Sequence, residues 1–394
     1  MTWGSVNCGV CKKNNTVQKI ISHNYLKCIC KSCRHTYEIS LIKIIKKIIY
    51  LDQNIFSNAY AISKGKESRF KLLIDKLENL TNKQLIICPF SDVHDLESHQ
   101  QTDDGKALFS MIQTMSRGKR FYLRNKIKEQ QIINAYIAFL NNDSDKYKLK
   151  LSDAIEPGIH DWDTSFRIQS NFSLSQFISP AIIKKEKKLF TEDFIEALPK
   201  FHKMASNVQA NFISEITDHA RFLIEDYMQA IKSNDIKIIL NSEEVKIINT
   251  LMRIDTDNQN IGSKFNQVIS FLKSSYFANI PYVHISSGIW AVKRKEISDG
   301  RCPTNLDKHR KQIRGFLYDI EHAAIFAPYC DAMITEIKMA QYLKGWHKQS
   351  QSLYPFNVYS IQDEANLYNY LDYVENTITE EMEEELKIVY GEVN

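Results

Sequence analysis

The sequence predicts an α/β protein: a small parallel-sheet core, split by a large helical insertion and preceded by a compact cysteine-rich module. Three observations predict it. Short apolar, β-branched runs recur at 44–51, 85–90 and 331–335, each beside a helical pattern, which is the signature of parallel strands covered by helices. Between the second and third runs, residues 101–278 carry apolar side chains at three- and four-residue spacing almost throughout, as amphipathic helices do. Five of the eight cysteines fall within the first 33 residues.

The chain of 394 residues has room for two or three domains at roughly 100–200 residues each. With 43% apolar and 25% charged residues it has an ordinary globular composition. Only 12 Gly and 8 Pro leave few turn signals, so long helices are expected. No run approaches the roughly 20 apolar residues of a membrane span, and the opening MTWGSVNCGVCKKNN does not read as a secretory signal. A cytoplasmic protein with no membrane partner is expected. Residues 375–394 hold seven Glu and one Lys, whereas the whole chain is +4. The body is therefore moderately basic, which permits a polyanionic partner.

In order, residues 1–40 contain two knuckles, CGVC and CICKSC, and residues 41–100 form the first part of the core. The segment IKIIKKIIYLD is its first strand, 66–80 a helix, and LIICPFS its second strand, followed by the polar DVHDLES. The insertion spans 101–278, the second part of the core 279–345, and a helical acidic extension 346–394. Within the second part, IPYVHISSGIWAV (280–292) reads as extended, 306–329 as a helix, DAMIT as a strand and EIKMAQYL as a further helix.

Clustered Cys-x-x-Cys pairs in a chain expected to lie in a reducing compartment suggest metal rather than disulfides. Zinc takes four tetrahedral thiolate or imidazole ligands, and each such pair supplies two with the right bite. Cys8 and Cys11 form one pair, and the spacing of Cys30 and Cys33 matches it. Cys28 is then a strand residue, although Cys28 or His35 remains an alternative donor. A site closed by four thiolates is structural rather than catalytic.

A second set of residues sits at the ends of the predicted strands. Asp52 ends the first, Glu97 follows the second, Asp319 lies on the preceding helix of the last, Asp331 opens that strand and Glu336 closes it. In open α/β sheets ligands gather beyond the carboxyl ends of the strands. Acids converging there repel one another unless a cation lies among them, and hard oxygen donors select Mg2+ or Mn2+. Such ions serve phosphodiester cleavage by activating water and stabilising the leaving oxygen.

The wording around these acids resembles the PIN-domain nucleases. IIYLDQNIFSNAY resembles that family's opening strand, and YDIEHAAIFAPYCDAMITE resembles its closing segment. The resemblance covers roughly 42–100 and 280–345. It implies a metal-binding quartet of Asp52, Glu97, Asp319 and Glu336, with Asp331 a neighbour or substitute, Asn54 orienting Asp52, and Thr335 near the phosphate. It also implies a metal-dependent endonuclease, RNA being the favoured substrate over DNA, that leaves a 5′-phosphate. The layout fits a defence or toxin-like system.

Other features are weighed beside these. Asp92, His94, Asp95, Glu97 and His99 could form a second metal site, but a capped helix start explains them better. Among the basic runs, Arg310 and Arg314 precede Asp319 on one helix and could present a substrate phosphate. Tyr282, Trp290 and Tyr329 could stack on bases but read better as core. The helical insertion could bind a protein partner. The competing class is a non-catalytic nucleic-acid- or protein-binding zinc-ribbon protein with a degenerate nuclease core.

Overall fold

Strand alternation organises the N-terminal module. In the computed structural model, which describes residues 7–14, 17–99, 104–164, 180–203, 207–254, 260–301, 306–349, 353–354 and 356–391, β1 (Val17–Ser22), β2 (Tyr25–Cys30) and β3 (Thr36–Ser40) form an antiparallel meander. Leu26, Cys28 and Cys30 alternate inward along β2. Cys28 thus faces an apolar cluster that also contains Leu26, Leu41, Ile49 and Leu51, and so joins the module to the main body.

The main sheet has four parallel strands in the order β5 (Ile86–Ile87), β4 (Lys47–Leu51), β6 (Ala332–Ile334) and β7 (Asn357–Tyr359). The predicted strands at 44–51, 85–90 and 331–335 are all present in shortened form. A fourth strand, β7, lies at the edge, inside the segment expected to be only helical. Ile48, Ile49, Tyr50 and Leu51 are each at most 4% exposed, as befits a parallel strand covered on both faces. One face carries Ile48, Tyr50, Ile87, Met333 and Val358, the other Ile49, Leu51, Ile86, Ala332 and Ile334.

Helices α1 (Gln53–Ser63), α2 (Lys71–Asn82) and α3 (Asp92–Ser98) belong to the first part of the core, and α4 (Gly105–Met115), inside the expected insertion, packs into the same apolar cluster as α1 and α2. Next come α5 (Arg124–Leu140), α6 (Pro180–His202), α7 (Val208–Ser233), α8 (Ile236–Asn241), α9 (Glu243–Ile254), α10 (Ile261–Leu272) and α11 (Ser275–Ala278). Of these, α5, α9, α10 and α11 share a separate apolar cluster around Tyr136, Ile248 and Phe271. The second part of the core supplies α12 (Pro281–Ser298), α13 (Leu306–Glu321), a π turn at His322–Phe326 and α14 (Ile337–Gln349). The chain ends in α15 (Glu364–Glu375) and α16 (Glu380–Tyr390).

One expectation is corrected here. Residues 280–292, expected to be extended, form α12 with Pro281 in its first turn. Val283, Ile285, Ile289 and Ala291 are at most 1% exposed. A helix buried on almost every side loses the polar stripe that reveals a helical period, and its β-branched residues then imitate a strand. Gly288 allows this burial, because a Cβ there would lie 2.3 Å from the Trp346 ring. The acidic C-terminal helices are tied to the core. Glu375 pairs with Lys76 and, at 2.6 Å, with Lys83, and the Glu385 carboxylate accepts from the Ile42 N–H at 2.9 Å.

Candidate metal centres

The Sγ atoms of Cys8, Cys11, Cys30 and Cys33 lie within 4.8 Å of one another. Two matching turns gather them. The Lys12 N–H donates to the Cys8 carbonyl and the Arg34 N–H to the Cys30 carbonyl, both at 2.9 Å. Lys12 and Arg34 have φ of 56° and 58°, so each knuckle turns through a left-handed residue. Four thiolates at this separation could hold a structural metal such as zinc. Cys28 stands apart among apolar neighbours, and His35 stacks with Tyr37 at 6.0 Å.

The second centre is a cavity of about 490 Å³ lined by Asp52, Asn54, Glu97, Asp319 and Glu336, among others. It lies beyond the carboxyl ends of β4 and β6, since Asp52 follows β4 and Glu336 follows β6 after one residue. The Asp52 N–H donates to the Ile334 carbonyl at 3.0 Å. Its Oδ2 accepts from the Thr335 hydroxyl at 2.8 Å and from the Glu336 N–H at 3.2 Å. Asp52 is thus held rigidly by the neighbouring strand's end.

Glu97 projects from α3. Its Oε2 lies 3.2 Å from His322 Nε2, and its Oε1 lies 3.7 Å from Lys187 Nζ. Asp319 comes from the last turns of α13, one turn before the π segment that carries His322. Burial, followed by the charges of Asp52, Glu97 and Glu336, holds the Asp319 carboxyl well above the usual carboxylate range. Burial raises Glu336 as well, with Asp52 and Glu97 adding to the effect. Among the described residues neither of these two carboxylates meets a hydrogen-bond donor. Like charges crowded at one cleft, with Asp319 partly buried and Glu336 open to solvent, offer the hard oxygen donors that a divalent cation takes. The only group of three or more ligand atoms within 4.8 Å among the described residues is the thiolate one, so the acids form a looser ring.

The remaining predicted residues divide. Asn54 lines the cavity, but its Oδ1 accepts from Asn58 at 2.9 Å, and Thr335 and the Glu336 amide hold Asp52 instead. Thr335 therefore spends its hydroxyl on a carboxylate rather than facing the cavity. Asp331 is not brought to the site. It precedes β6 at the opposite end of the sheet, 2.8 Å from Lys47 Nζ, and accepts the Ile48 N–H at 2.8 Å. A strand advances about 3.3 Å per residue, so the intervening β6 separates it from Glu336. Arg310 pairs with Glu192 at 3.3 Å and Asp307 at 3.4 Å and does not line the cavity. The side chain of Arg314 lies outside those described.

His94 is no metal ligand here. Its Nδ1 accepts the Ser91 N–H at 2.9 Å and its Nε2 meets the Leu51 carbonyl at 2.8 Å, so it closes the start of α3 as a cap. Tyr329 is core, 7% exposed, and Trp290 packs on Phe194 and Phe316. Tyr282 contacts Lys128 through its ring at 4.6 Å. Reasoning from sequence did not find His322, and it passed over the basic runs that contain Lys187 and Lys293 as solvated faces. The first sits in the apolar run HAAIF with no periodic signal, and the lysines sit in ordinary basic helices.

Comparison with known proteins yields no match: no family model, no curated protein and no solved structure corresponds to this chain. Among the described residues no helix is long and apolar enough to cross a membrane.

Proposed function

We propose that the chain is a Mg2+- or Mn2+-dependent, PIN-like endonuclease that hydrolyses phosphodiester bonds, carrying its zinc ribbon as a structural accessory. One observation carries this reading: four carboxylates from separate segments, at 52, 97, 319 and 336, share a single cavity beyond the carboxyl ends of parallel strands. When bound, a divalent ion would activate a water molecule and stabilise the leaving oxygen. Asp52, Glu97, Asp319 and Glu336 would hold it.

The residues around the acids have roles that suit an anionic substrate. Lys293 and Lys338 line the same cavity. The Lys293 ammonium donates to Tyr342 at 3.0 Å and Glu296 at 3.1 Å, which fixes it at the wall. Lys338 is more exposed and pairs with Glu296 at 2.7 Å, so it can exchange that partner for a phosphate at the mouth. The preference for RNA over DNA rests on the family resemblance alone.

The test is cleavage of labelled single-stranded RNA and DNA with Mn2+, comparing wild type with Asp52→Asn and Asp319→Asn. Both variants should lose at least the roughly 10–100-fold that loss of a supporting residue costs a metal site. Equal activity in all three proteins, or none in any, would refute the catalytic reading.

A further inference from the structure

We propose that His322 is a positioning residue for Glu97, held in its donor tautomer by a buried relay through Tyr50, Ser91 and His94; the inference rests on the cation-binding reading of the cavity. Tyr50, Ser91, His94 and His322 are each 0% exposed. Water cannot replace their partners, and polar groups buried in this way must satisfy one another.

A backbone group fixes the first hydrogen-bond direction, and the proposed relay assigns the rest for neutral imidazoles. The Ser91 backbone N–H can only donate, and its 2.9 Å contact makes His94 Nδ1 the acceptor. His94 therefore carries its hydrogen on Nε2 and donates it to the Leu51 carbonyl at 2.8 Å. Ser91 Oγ also lies 3.1 Å from Nδ1, but that nitrogen has a single lone pair, already taken by the amide. The serine hydroxyl donates onward to the Tyr50 oxygen at 2.9 Å. Tyr50 donates in turn to His322 Nδ1. His322 is left with its hydrogen on Nε2, 3.2 Å from Glu97 Oε2. The opposite polarity would set a bare lone pair against a carboxylate.

The relay also explains why the chain spends four buried polar groups here. Glu97 sits on a seven-residue helix, α3, which by itself would fix its carboxylate poorly. His94 ties the start of that helix to the Leu51 carbonyl, next to Asp52, and His322 ties its end to the π turn after Asp319. π turns often mark functional positions, and this one sets His322 one turn beyond Asp319. The same four side chains thereby set Glu97 in register with Asp52 and Asp319.

The experiment measures Mn2+ affinity from the free-ion signal in electron paramagnetic resonance. It uses wild type, Tyr50→Phe, His322→Phe, His322→Gln and Asp52→Asn, with melting and zinc content of each as checks on folding. Tyr50→Phe keeps the ring against Phe121 and Phe326, at 5.7 and 5.5 Å, and removes only the hydroxyl. It and His322→Phe should weaken Mn2+ binding by about 10–100-fold. His322→Gln, whose amide can still donate to Glu97, should stay nearer to wild type than to His322→Phe. Unchanged affinity in both Tyr50→Phe and His322→Phe would overturn the positioning role while leaving the cation site intact. Equal weakness of the Gln and Phe variants would also overturn it, because ring shape alone would then be at work. A wild type that binds no Mn2+ would refute the cation reading itself, and this inference with it. Should His322→Phe fail to fold, Tyr50→Phe decides.

Discussion

His284 makes the seam between α7 and α12 acid-labile, and the size of the effect can be worked out. It is 7% exposed, and its ring packs against Phe212 at 5.2 Å, Trp346 at 5.3 Å and Tyr354 at 5.7 Å. Neither ring nitrogen has a hydrogen-bond partner among the described residues. Burial pushes its pKa down from 6.5 to about 4. A histidine depressed in the folded state contributes fully above its unfolded value near 6.5 and loses that contribution as the pH falls toward 4. Proton linkage puts the loss between pH 7.5 and pH 5 at about 2 kcal/mol. Partly buried His219, also lowered to about 4 by burial, adds a smaller share in the same direction. Glu215 and Asp92 oppose it, since burial raises them to about 7 and about 6, and protonation relieves that cost. The total slope is therefore a balance, and the informative quantity is the difference between wild type and His284→Phe. Urea melts at pH 7.5 and 5.0, followed by tryptophan fluorescence, measure it. The variant should lose about 2 kcal/mol less than wild type on acidification. Identical losses would refute the claim that His284 is held neutral by burial.

Three further outcomes are expected. Cys30→Ser should lose its zinc in a colorimetric assay and its amide protection across residues 17–40; full zinc content would show that Cys28 or His35 supplies the fourth ligand. Gly288→Ala drives a methyl group into the Trp346 ring, which is 2% exposed and cannot swing aside, so stability should fall by about 1–3 kcal/mol in thermal or urea melts. Asp319→Asn removes a carboxyl that burial and the neighbouring acids hold well above its usual range, so the metal-free protein should gain about 1 kcal/mol at pH 8 while losing the stabilisation that Mn2+ gives wild type.

Parts of this molecule were legible in the sequence for physical reasons. The strands at 47–51 and 332–334 announce themselves because strands covered on both faces must be apolar throughout. The thiolate pairs are legible because a metal-binding turn needs local spacing. Asp52 and Glu336 were legible because they follow their strands, where ligands gather, a rule that depends on chain direction alone; Asp319, on a helix before β6, was joined to them and Glu97 as a quartet only by the family resemblance. The same rule, applied strictly, separates Asp331: it precedes its strand rather than following it. What stayed illegible depends on burial from distant segments. The helical period of α12 disappears because Trp346, Phe212 and the sheet cover sides that would otherwise be polar. Strand β7 is too short to carry a period, and His322 owes its meaning to Tyr50 and Glu97, 272 and 225 residues away.

The four carboxylates are also unequal, and the inequality bears on what the cavity is for. Asp52 is fixed by two donors and Glu97 faces an imidazole nitrogen and a lysine. Among the described residues Asp319 and Glu336 meet no such donors, and their protonation is favoured by burial and by the neighbouring acids. A purely structural cluster would be expected to satisfy the partly buried Asp319 or replace it with an amide, because an unpaired enclosed charge costs stability and a polar isostere does not; Glu336 opens to solvent and carries less of that cost. A preorganised pair facing an uncompensated pair is instead the arrangement in which an incoming cation gains most. The held pair needs no reordering, and Asp319 above all is relieved of a penalty it carries only while the cation is absent.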